Sequence, residues 1–209
     1  MRFKSDMDDR ARELQAAAEA IAPAPLQAAK DAIAASCAEH IRWADLFFRR
    51  LDGLPDEKLH QFARALALTM LGHLPTRPGT CPFCIQYGGD RSCTGCGYAA
   101  THGRCDAETS AFSLFIEAFQ ELGRAIYQDT GKMSCPAEEA RQQLYSCIDA
   151  SIKLTRQTEQ SLESASTGHL MMLKAHHIRS TINLIPVQLL SQEVAVRLQT
   201  VKEALDNYW

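Results

Sequence analysis

The sequence predicts an all-α fold, an antiparallel helical bundle with a small cysteine-rich metal-binding insert between its helices. Two observations predict the bundle: apolar residues recur three, four or seven positions apart over long stretches, and the connections between these stretches are short. Runs in which β-branched and polar residues alternate are nearly absent, so we expect strands only inside the insert. A third observation predicts the insert, because five cysteines fall within residues 81–105.

Residues 1–74 form the N-terminal helices of the predicted bundle. An Ala- and Glu-rich helix is expected over residues 5–21, which contain no helix breaker, and Pro23 and Pro25 would end it. The next helix, over residues 26–51, carries one apolar stripe that should face the core. The stripe consists of Leu26, Ile33, Cys37, Ile41, Ala44, Phe48 and Leu51.

A third helix completes this N-terminal part. Gly53 and Pro55 interrupt the chain, and Asp56 is the expected N-cap of a helix that reaches about Leu74. Its apolar side should again face the core. That side consists of Leu59, Phe62, Ala63, Leu66, Met70 and Leu71.

Residues 107–209 are expected to complete the same single-domain bundle. Asp106 is the expected cap of the first helix in this part, whose aromatic stripe should lie in the core, because phenylalanines at helical spacing usually pack against neighbouring helices. Helices are expected over residues 108–128, about 134–164, 168–185 and 186–209. The aromatic stripe consists of Phe112, Phe115, Ile116, Phe119, Leu122 and Ile126.

Composition narrows the class of protein. Hydrophobic residues make up 46% and charged residues 22% of the chain, which is typical of a packed globular core. A formal net charge of −3 provides no basic footprint for nucleic acid, so nucleic-acid binding is not the favoured function. No run of 18 apolar residues and no apolar signal region occur, so we expect a cytoplasmic protein without a membrane span.

The cysteine-rich insert is expected over residues 75–106. It contains C-P-F-C at residues 81–84 and C-T-G-C-G at residues 93–97, and both resemble zinc-ribbon-like knuckles. A knuckle curls its backbone so that amides can hydrogen-bond to thiolates, and proline and glycine permit the necessary turns. In a reducing compartment such clusters are more often metal ligands than disulfides. The candidate metal ligands are Cys81, Cys84, Cys93, Cys96 and Cys105.

Three interpretations of these thiols stay open. Zinc takes four sulfurs, and Cys81, Cys84, Cys93 and Cys96 would supply them, with Cys105 to spare. A 4Fe-4S cluster on Cys84, Cys93, Cys96 and Cys105 is the alternative cofactor. The third interpretation is a group of free or exchanging thiols without metal. Four sulfurs leave no open position for substrate, which favours a stabilising ion over a catalytic one.

The same residues resemble a short metal-binding module of poorly characterised prokaryotic proteins, C-P-L-C…C-x-G-C-P…G-x-x-C. The resemblance covers about 25 residues, and the chain departs from the pattern at Gly97, where the module has proline. It implies a bound metal and no defined activity. The matching residues are Cys81, Pro82, Cys84, Cys93, Gly95, Cys96, Gly103 and Cys105.

One later helix is the best candidate for an interaction surface or a cofactor contact. His169, Met172 and His176 lie on it, and His169 and His176 share a face because they are seven residues apart. A histidine–methionine face could contact a haem or a soft metal, although such residues more often line a packed or partner-facing seam. Neighbouring His177 belongs to the same segment.

The remaining cysteines and histidines carry weaker signals. Cys37 and Cys147 lie in helical stripes and are interpreted as small buried hydrophobes. Cys135 precedes a predicted helix, where a thiol can become reactive, but a residue without chemistry is favoured there. Glu57 and His60 form a single E-x-x-H, and a di-iron site would need two.

The sequence therefore favours a metal-binding accessory, adaptor or regulatory protein that acts through a protein partner or a second copy of itself. An iron–sulfur redox protein or enzyme subunit is the alternative. A third hypothesis is a nucleic-acid binder, because three arginines flank the cysteines and two tyrosines could stack on bases. Those residues are Arg77, Arg91, Arg104, Tyr87 and Tyr98. The common phosphate-binding and hydrolase motifs are missing, so whether the chain is an enzyme stays open.

Overall fold

A computed structural model describes residues 2–89, 93–131 and 133–208, and within these ranges all regular structure is helical. This confirms the all-α class that the apolar periodicity predicts. The α-helices are α1 (Arg2–Glu19), α2 (Pro23–Leu51), α3 (Leu59–Gly72), α4 (Pro82–Tyr87), α5 (Gly97–His102), α6 (Ala111–Gln128), α7 (Ala137–Leu162), α8 (Thr167–Leu184) and α9 (Gln192–Tyr208). Short 3-10 turns occupy Asp56–Lys58, Pro78–Thr80 and Val187–Leu189.

The expectation of strands inside the cysteine-rich segment is wrong for its described residues. They form the 3-10 turn Pro78–Thr80 and the two short helices α4 and α5 instead. Both short helices, α4 and α5, begin directly after a cysteine. Pro82 starts α4, because the fixed φ angle of proline suits a first helical turn. The cysteine pairs are therefore held by helix starts, not by a β-ribbon.

Several predicted helix ends also differ from the observed ones. Pro23 and Pro25 lie in the first turn of α2, where a missing amide hydrogen costs nothing. The preceding helix, α1, already ends at Glu19. Asp56 belongs to a 3-10 turn that precedes α3, so it does not cap that helix. The Ser110 hydroxyl, not Asp106, caps α6 by accepting a hydrogen bond of 3.0 Å from the Ser113 amide.

The bundle is built on antiparallel pairs. Lys30 near the start of α2 donates to the Glu163 carbonyl at the end of α7, over 2.9 Å, and Arg141 near the start of α7 donates to the Leu51 carbonyl at the end of α2, over 2.7 Å. Helix α6 packs on α9, and α8 packs on α7 after a short connection. No helix of the described chain is both long and apolar enough to cross a membrane.

The cysteine-rich segment is part of the bundle core. Cys81, Phe83, Cys96 and Tyr98 are buried in the same apolar cluster as residues of α3, α6 and α9. Gln86 of α4 accepts a hydrogen bond of 2.7 Å from the Ala22 amide, which ties α4 to the loop between α1 and α2. The segment is therefore packed against the N-terminal helices and not extended away from them.

Gly97 shows how closely α5 approaches α1. A Cβ atom at this position would come within 1.9 Å of the Ala17 Cβ atom. Only glycine permits this approach without a shift of one of the helices. This contact gives a physical reason for glycine at position 97.

A buried polar seam runs along the facing sides of α7 and α8. Its members lie three, four or seven residues apart on each helix, at positions that would normally be apolar. The hydroxyl groups on α7 donate to carbonyls one turn earlier, as Thr155 does to Ser151 over 2.8 Å. The seam consists of Ser151, Thr155 and Thr158 on α7 and Lys174, His177 and Thr181 on α8.

Asp129 joins three elements through one buried carboxylate. Its Oδ1 accepts from the Gly131 amide at 2.9 Å, while Oδ2 accepts from the Ser191 amide at 3.0 Å and lies 3.2 Å from His60 Nε2. Burial alone would raise the pKa of Asp129, but these hydrogen bonds outweigh it and lower the pKa below its usual value. The charged carboxylate is therefore a structural link between α3, the end of α6 and the start of α9.

We expect Asp129→Asn to lower the free energy of unfolding by about 2 kcal/mol at pH 7, because the amide offers one acceptor oxygen where two are used. Since the folded-state pKa is depressed, this stabilisation is present above the unfolded-state pKa of about 4 and is lost as pH falls through the folded value. Urea unfolding at pH 7 and pH 3 measures both effects. Asp149→Asn, at an exposed position, is the control. Equal losses of the free energy of unfolding in the two variants would contradict the structural role of Asp129.

Candidate metal centre

The first cysteine pair lies where a 3-10 turn meets α4. Thr80 fixes this entry, because its buried hydroxyl lies 2.9 Å from the Pro75 carbonyl and 2.7 Å from the Arg77 carbonyl. Cys81 has an extended backbone just before α4, and Cys84 is one turn into the helix. The pair therefore presents two sulfurs from one tight turn, as a knuckle does.

Backbone amides donate to sulfur at both pairs. The Cys84 amide hydrogen-bonds to the Cys81 sulfur, and the Tyr98 and Ala99 amides hydrogen-bond to the Cys96 sulfur. Burial raises the pKa of Cys96, and these two amides oppose it. Amide hydrogen bonds favour the thiolate form over the thiol, which is the form that binds metal. The amides near Cys81 and Cys96 therefore oppose the increase in pKa that burial causes in these thiols.

Three thiols influence one another's ionisation. Interaction with Cys84 raises the pKa of Cys81, and interaction with Cys105, together with burial, raises the pKa of Cys84 to about 11. The same interaction with Cys84 lowers the pKa of Cys105. The Cys105 thiol, which comes from a different loop, is therefore the first of the three to become a thiolate.

The other two thiols complete this group. Cys96 interacts electrostatically with Cys81 and with Cys93, and Cys105 interacts with Cys81, Cys96 and Cys93 in decreasing order. All five predicted ligands thus lie in one neighbourhood. We call these five residues the thiol cluster.

A buried lysine faces the thiol cluster. Lys174 of α8 is only 4% exposed, and its ammonium group donates to the Thr80 carbonyl over 3.4 Å. Burial lowers the pKa of Lys174, while Cys81, Cys84 and Cys105 act in the opposite direction. A buried cation needs a nearby negative charge, and these sulfurs are the groups that can provide it when they are thiolates.

The backbone around the second pair adopts uncommon dihedrals. Cys93 has φ +53°, which is rare for a residue with a side chain, and Gly95 and Gly103 both have φ +81°. Gly95 also lies under Tyr87, since a Cβ atom there would come 3.5 Å from the Tyr87 ring. Such conformations persist where the surroundings enforce them, and they are frequent at ligand-binding turns.

The thiol cluster is not closed around a central point. All eight cysteines are free thiols, and among the described residues no three or more His, Cys, Asp or Glu side chains are arranged as a metal site requires. To bind an ion, the thiols would have to lose their protons and rotate towards it. The chemistry of the donors fits zinc.

Cys37 and Cys147 lie outside this cluster, in the bundle core. Burial raises the pKa of each thiol to about 12. The Cys147 sulfur lies 3.0 Å from the Leu184 carbonyl and 3.8 Å from the Met70 sulfur. Both residues therefore pack as small hydrophobes, as their helical stripes predict.

The three residues of the predicted histidine–methionine face do not line one cavity. His169 and Met172 line a cavity of about 400 Å³ between α1, α5 and α8, together with Phe83 and His102. His176 is not among the lining residues, and its Nε2 lies 3.4 Å from the Ser180 hydroxyl on an exposed part of α8. The cofactor contact predicted for these three residues stays a prediction.

Two of the residues proposed to bind nucleic acid, Tyr98 and Arg104, contact other side chains of the chain. Tyr98 is 3% exposed and stacks on His102 with ring centroids 4.5 Å apart, so it cannot stack on a base. Arg104 forms an ion pair of 2.6 Å with Asp106. Arg91 lies outside the described residues.

His60 and Cys135 share a different cavity. It measures about 540 Å³ and is also lined by Glu57, Arg64 and Asp129. The Arg64 guanidinium donates to the Ile126 carbonyl over 2.9 Å, and His60 lies 3.2 Å from Asp129. His60 of the E-x-x-H pattern is therefore part of a polar contact between α3 and the end of α6.

Sequence reasoning did not single out Lys174, His40 or the buried state of His177. A signal existed for His40, because it lies three residues after Cys37 and four before Ala44 on the stripe of α2. His177 and Lys174 are three residues apart and so share a helix face. Apolar Leu170 and Ile178, four residues before and after Lys174, were the sequence signal that this face is buried.

Compared with protein-family models, with curated proteins and with solved structures, the chain matches none of them. The candidate metal centre is therefore interpreted from its own residues.

Proposed function

We propose that this chain is a metal-binding accessory protein in which four thiolates of the thiol cluster bind one zinc ion. The observation that carries the proposal is the burial of these cysteines beside a cation: Cys81 and Cys96 lie in the bundle core, and Cys84 and Cys105 pack against it. Buried Lys174 interacts with Cys81, Cys84 and Cys105. Zinc binding in place of the thiol protons is the ordinary chemistry of neighbouring cysteines.

The proposed ligands are Cys81, Cys84, Cys96 and Cys105. The first, second and last interact with one another and with Lys174. Cys96 is chosen as the fourth because its sulfur interacts with Cys81 and accepts two backbone amides. Cys93 is then the spare thiol. This set differs from the sequence-based one, which used Cys93 and left Cys105 spare.

Ligand separation distinguishes zinc from a 4Fe-4S cluster. Zinc–sulfur bonds of about 2.3 Å place two sulfurs of a tetrahedral site about 3.8 Å apart. The cysteine sulfurs of an iron–sulfur cube bind separate corners and lie farther apart. Lys174 supports either choice, since its positive charge offsets part of the negative charge of four thiolates.

The proposed role is binding and not catalysis. A zinc ion with four sulfur ligands has no open position for water or substrate, so it would stabilise the segment that carries it. That segment packs against α1 and α2, next to the cavity lined by His169 and Met172. A protein partner or a second copy of the chain would be met there, in a reducing compartment such as the cytoplasm.

Metal analysis of matched serine variants tests the proposal on protein purified without oxygen. We expect Cys84→Ser and Cys105→Ser each to lower the zinc content by one equivalent, while Cys93→Ser and the core variant Cys37→Ser keep it. Unchanged zinc in Cys84→Ser and Cys105→Ser would contradict the proposal. Brown protein that contains iron and sulfide would instead support the alternative, an iron–sulfur protein.

A further inference from the structure

The cavity between α1, α5 and α8 has an apolar interior and a polar mouth. Its most deeply buried lining residues are the apolar Ala18, Phe83 and Met171. Its exposed lining residues include the polar Ser166 and His169, at the start of α8. The volume of about 400 Å³ falls within the range of sites that hold small organic molecules. The cavity therefore has the size and the polarity pattern of a ligand site.

The charge of the lining restricts the ligand. None of the described residues that line the cavity is Asp, Glu, Lys or Arg. Two of its polar side chains already serve the helices that carry them, because Gln15 donates to Glu19 over 2.8 Å and the Ser166 hydroxyl accepts from the His169 amide at 3.3 Å. A charged ligand would lose its hydration here without gaining an opposite charge. The lining therefore favours a neutral molecule.

His102 provides a hydrogen-bond acceptor in the cavity wall. Its ring stacks on Tyr98, with centroids 4.5 Å apart and planes inclined by 4°. The Thr101 hydroxyl donates to the Gly97 carbonyl over 3.1 Å, so it accepts from His102 Nδ1 at 2.7 Å. Burial lowers the pKa of His102, so its ring is neutral at pH 7 and Nε2 keeps a lone pair. The stack and the hydrogen bond together fix the orientation of this acceptor.

The apolar part of the lining favours an aromatic ligand over an aliphatic one. Phe83 and His102 contribute rings to the wall, and Met171 and Met172 contribute thioether sulfurs, which make favourable contacts with aromatic rings. Met172 is 58% exposed, although methionine is usually buried. A ring bound in the cavity would cover this side chain.

We propose that this cavity binds a small neutral aromatic molecule of the phenol or indole class, whose single O–H or N–H group donates to His102 Nε2. The ring of the ligand would lie against Phe83 and Met171, with Met172 at the mouth of the cavity. This site goes beyond the four-thiolate proposal, because none of the five residues of the thiol cluster lines the cavity. Either proposal can therefore fail without the other.

Titration of the full chain with 2-naphthol tests the site, with the methionine methyl groups labelled with carbon-13 for NMR. We expect the Met171 and Met172 signals to shift and to reach saturation, while the signal of Met70, which is buried outside this cavity, stays unchanged. The absence of a saturable shift at Met171 and Met172 would overturn the proposal. Shifts of these signals on dilution of ligand-free protein would show that a second copy of the chain fills the cavity, and they would overturn it as well.

Two analogues of the same size test the chemical class of the ligand. The ether 2-methoxynaphthalene lacks the O–H donor and should bind about fivefold more weakly than 2-naphthol. The anion 2-naphthoate should bind more than about tenfold more weakly, because the lining offers it no opposite charge. Equal affinities for 2-naphthol and the ether, or tighter binding of the anion, would contradict the proposal.

His102→Phe removes the acceptor and keeps a ring that can stack on Tyr98. We expect this variant to bind 2-naphthol about fivefold more weakly and 2-methoxynaphthalene as well as the unaltered chain does. An unchanged Met70 signal reports that the variant is folded. His176→Phe is the matched control, since His176 is exposed on α8 and does not line the cavity. A preference for 2-naphthol that persists in His102→Phe would overturn the assigned hydrogen bond.

Discussion

Phe83→Ala is expected to lower the free energy of unfolding by about 3–5 kcal/mol, the range for removing a fully buried phenylalanine side chain. Phe83 is 1% exposed and lies between the two cysteines of the first pair. Its ring contacts Tyr98 with centroids 6.4 Å apart, so it links α4 with α5. The cavity left by alanine would therefore separate the two halves of the thiol cluster.

Urea unfolding and zinc content measure the two consequences of Phe83→Ala together. We expect both to fall, because the same ring stabilises the core and positions Cys84. Ile85→Ala is the matched control, since Ile85 lies in the same short helix but is 36% exposed. Equal destabilisation by the two substitutions would show that α4 is not part of the bundle core.

Lys174→Met is expected to stabilise the metal-free protein and to weaken the binding of zinc. Without metal, replacing a buried ammonium by an apolar side chain of similar length should raise the free energy of unfolding by about 2–4 kcal/mol. With zinc, four thiolates carry excess negative charge that Lys174 offsets, so we expect zinc affinity to fall about tenfold or more. Competition with a chromophoric chelator measures the affinity.

A control separates the effect of the Lys174 charge from the general effect of replacing a lysine. Lys153→Met changes an exposed lysine on α7 that pairs with Asp149 at 2.7 Å, and neither quantity should change by more than about 0.5 kcal/mol. If Lys174→Met leaves zinc affinity unchanged, the ammonium does not act on the thiolates and its burial has another cause.

Helices such as α2, α3 and α6 were predictable because each has an apolar stripe, although Phe48 of the predicted α2 stripe is 46% exposed. Phe115, Leu122 and Ile126 are fully buried, as the stripe of α6 requires. The ends were harder, because several residues near each end can form a cap. Ser110, not Asp106, caps α6, and only the folded backbone shows which side chain reaches the free amides.

The sequence predicts which cysteines could lie near one another, but not their arrangement. C-x-x-C spacing brings the two sulfurs of one pair together locally, whereas the proximity of Cys84 and Cys105 depends on how their segments pack against the core. The buried cation was not predictable from the same pattern. Lysine is almost never fully buried unless paired, so sequence alone places Lys174 at the surface.

X-ray absorption at the zinc edge, on the full chain loaded with one equivalent of zinc, tests the central claim most directly. We predict a first shell of four sulfurs at about 2.3 Å. A first shell of nitrogen and oxygen only, or a protein that keeps no zinc, would contradict the four-thiolate site.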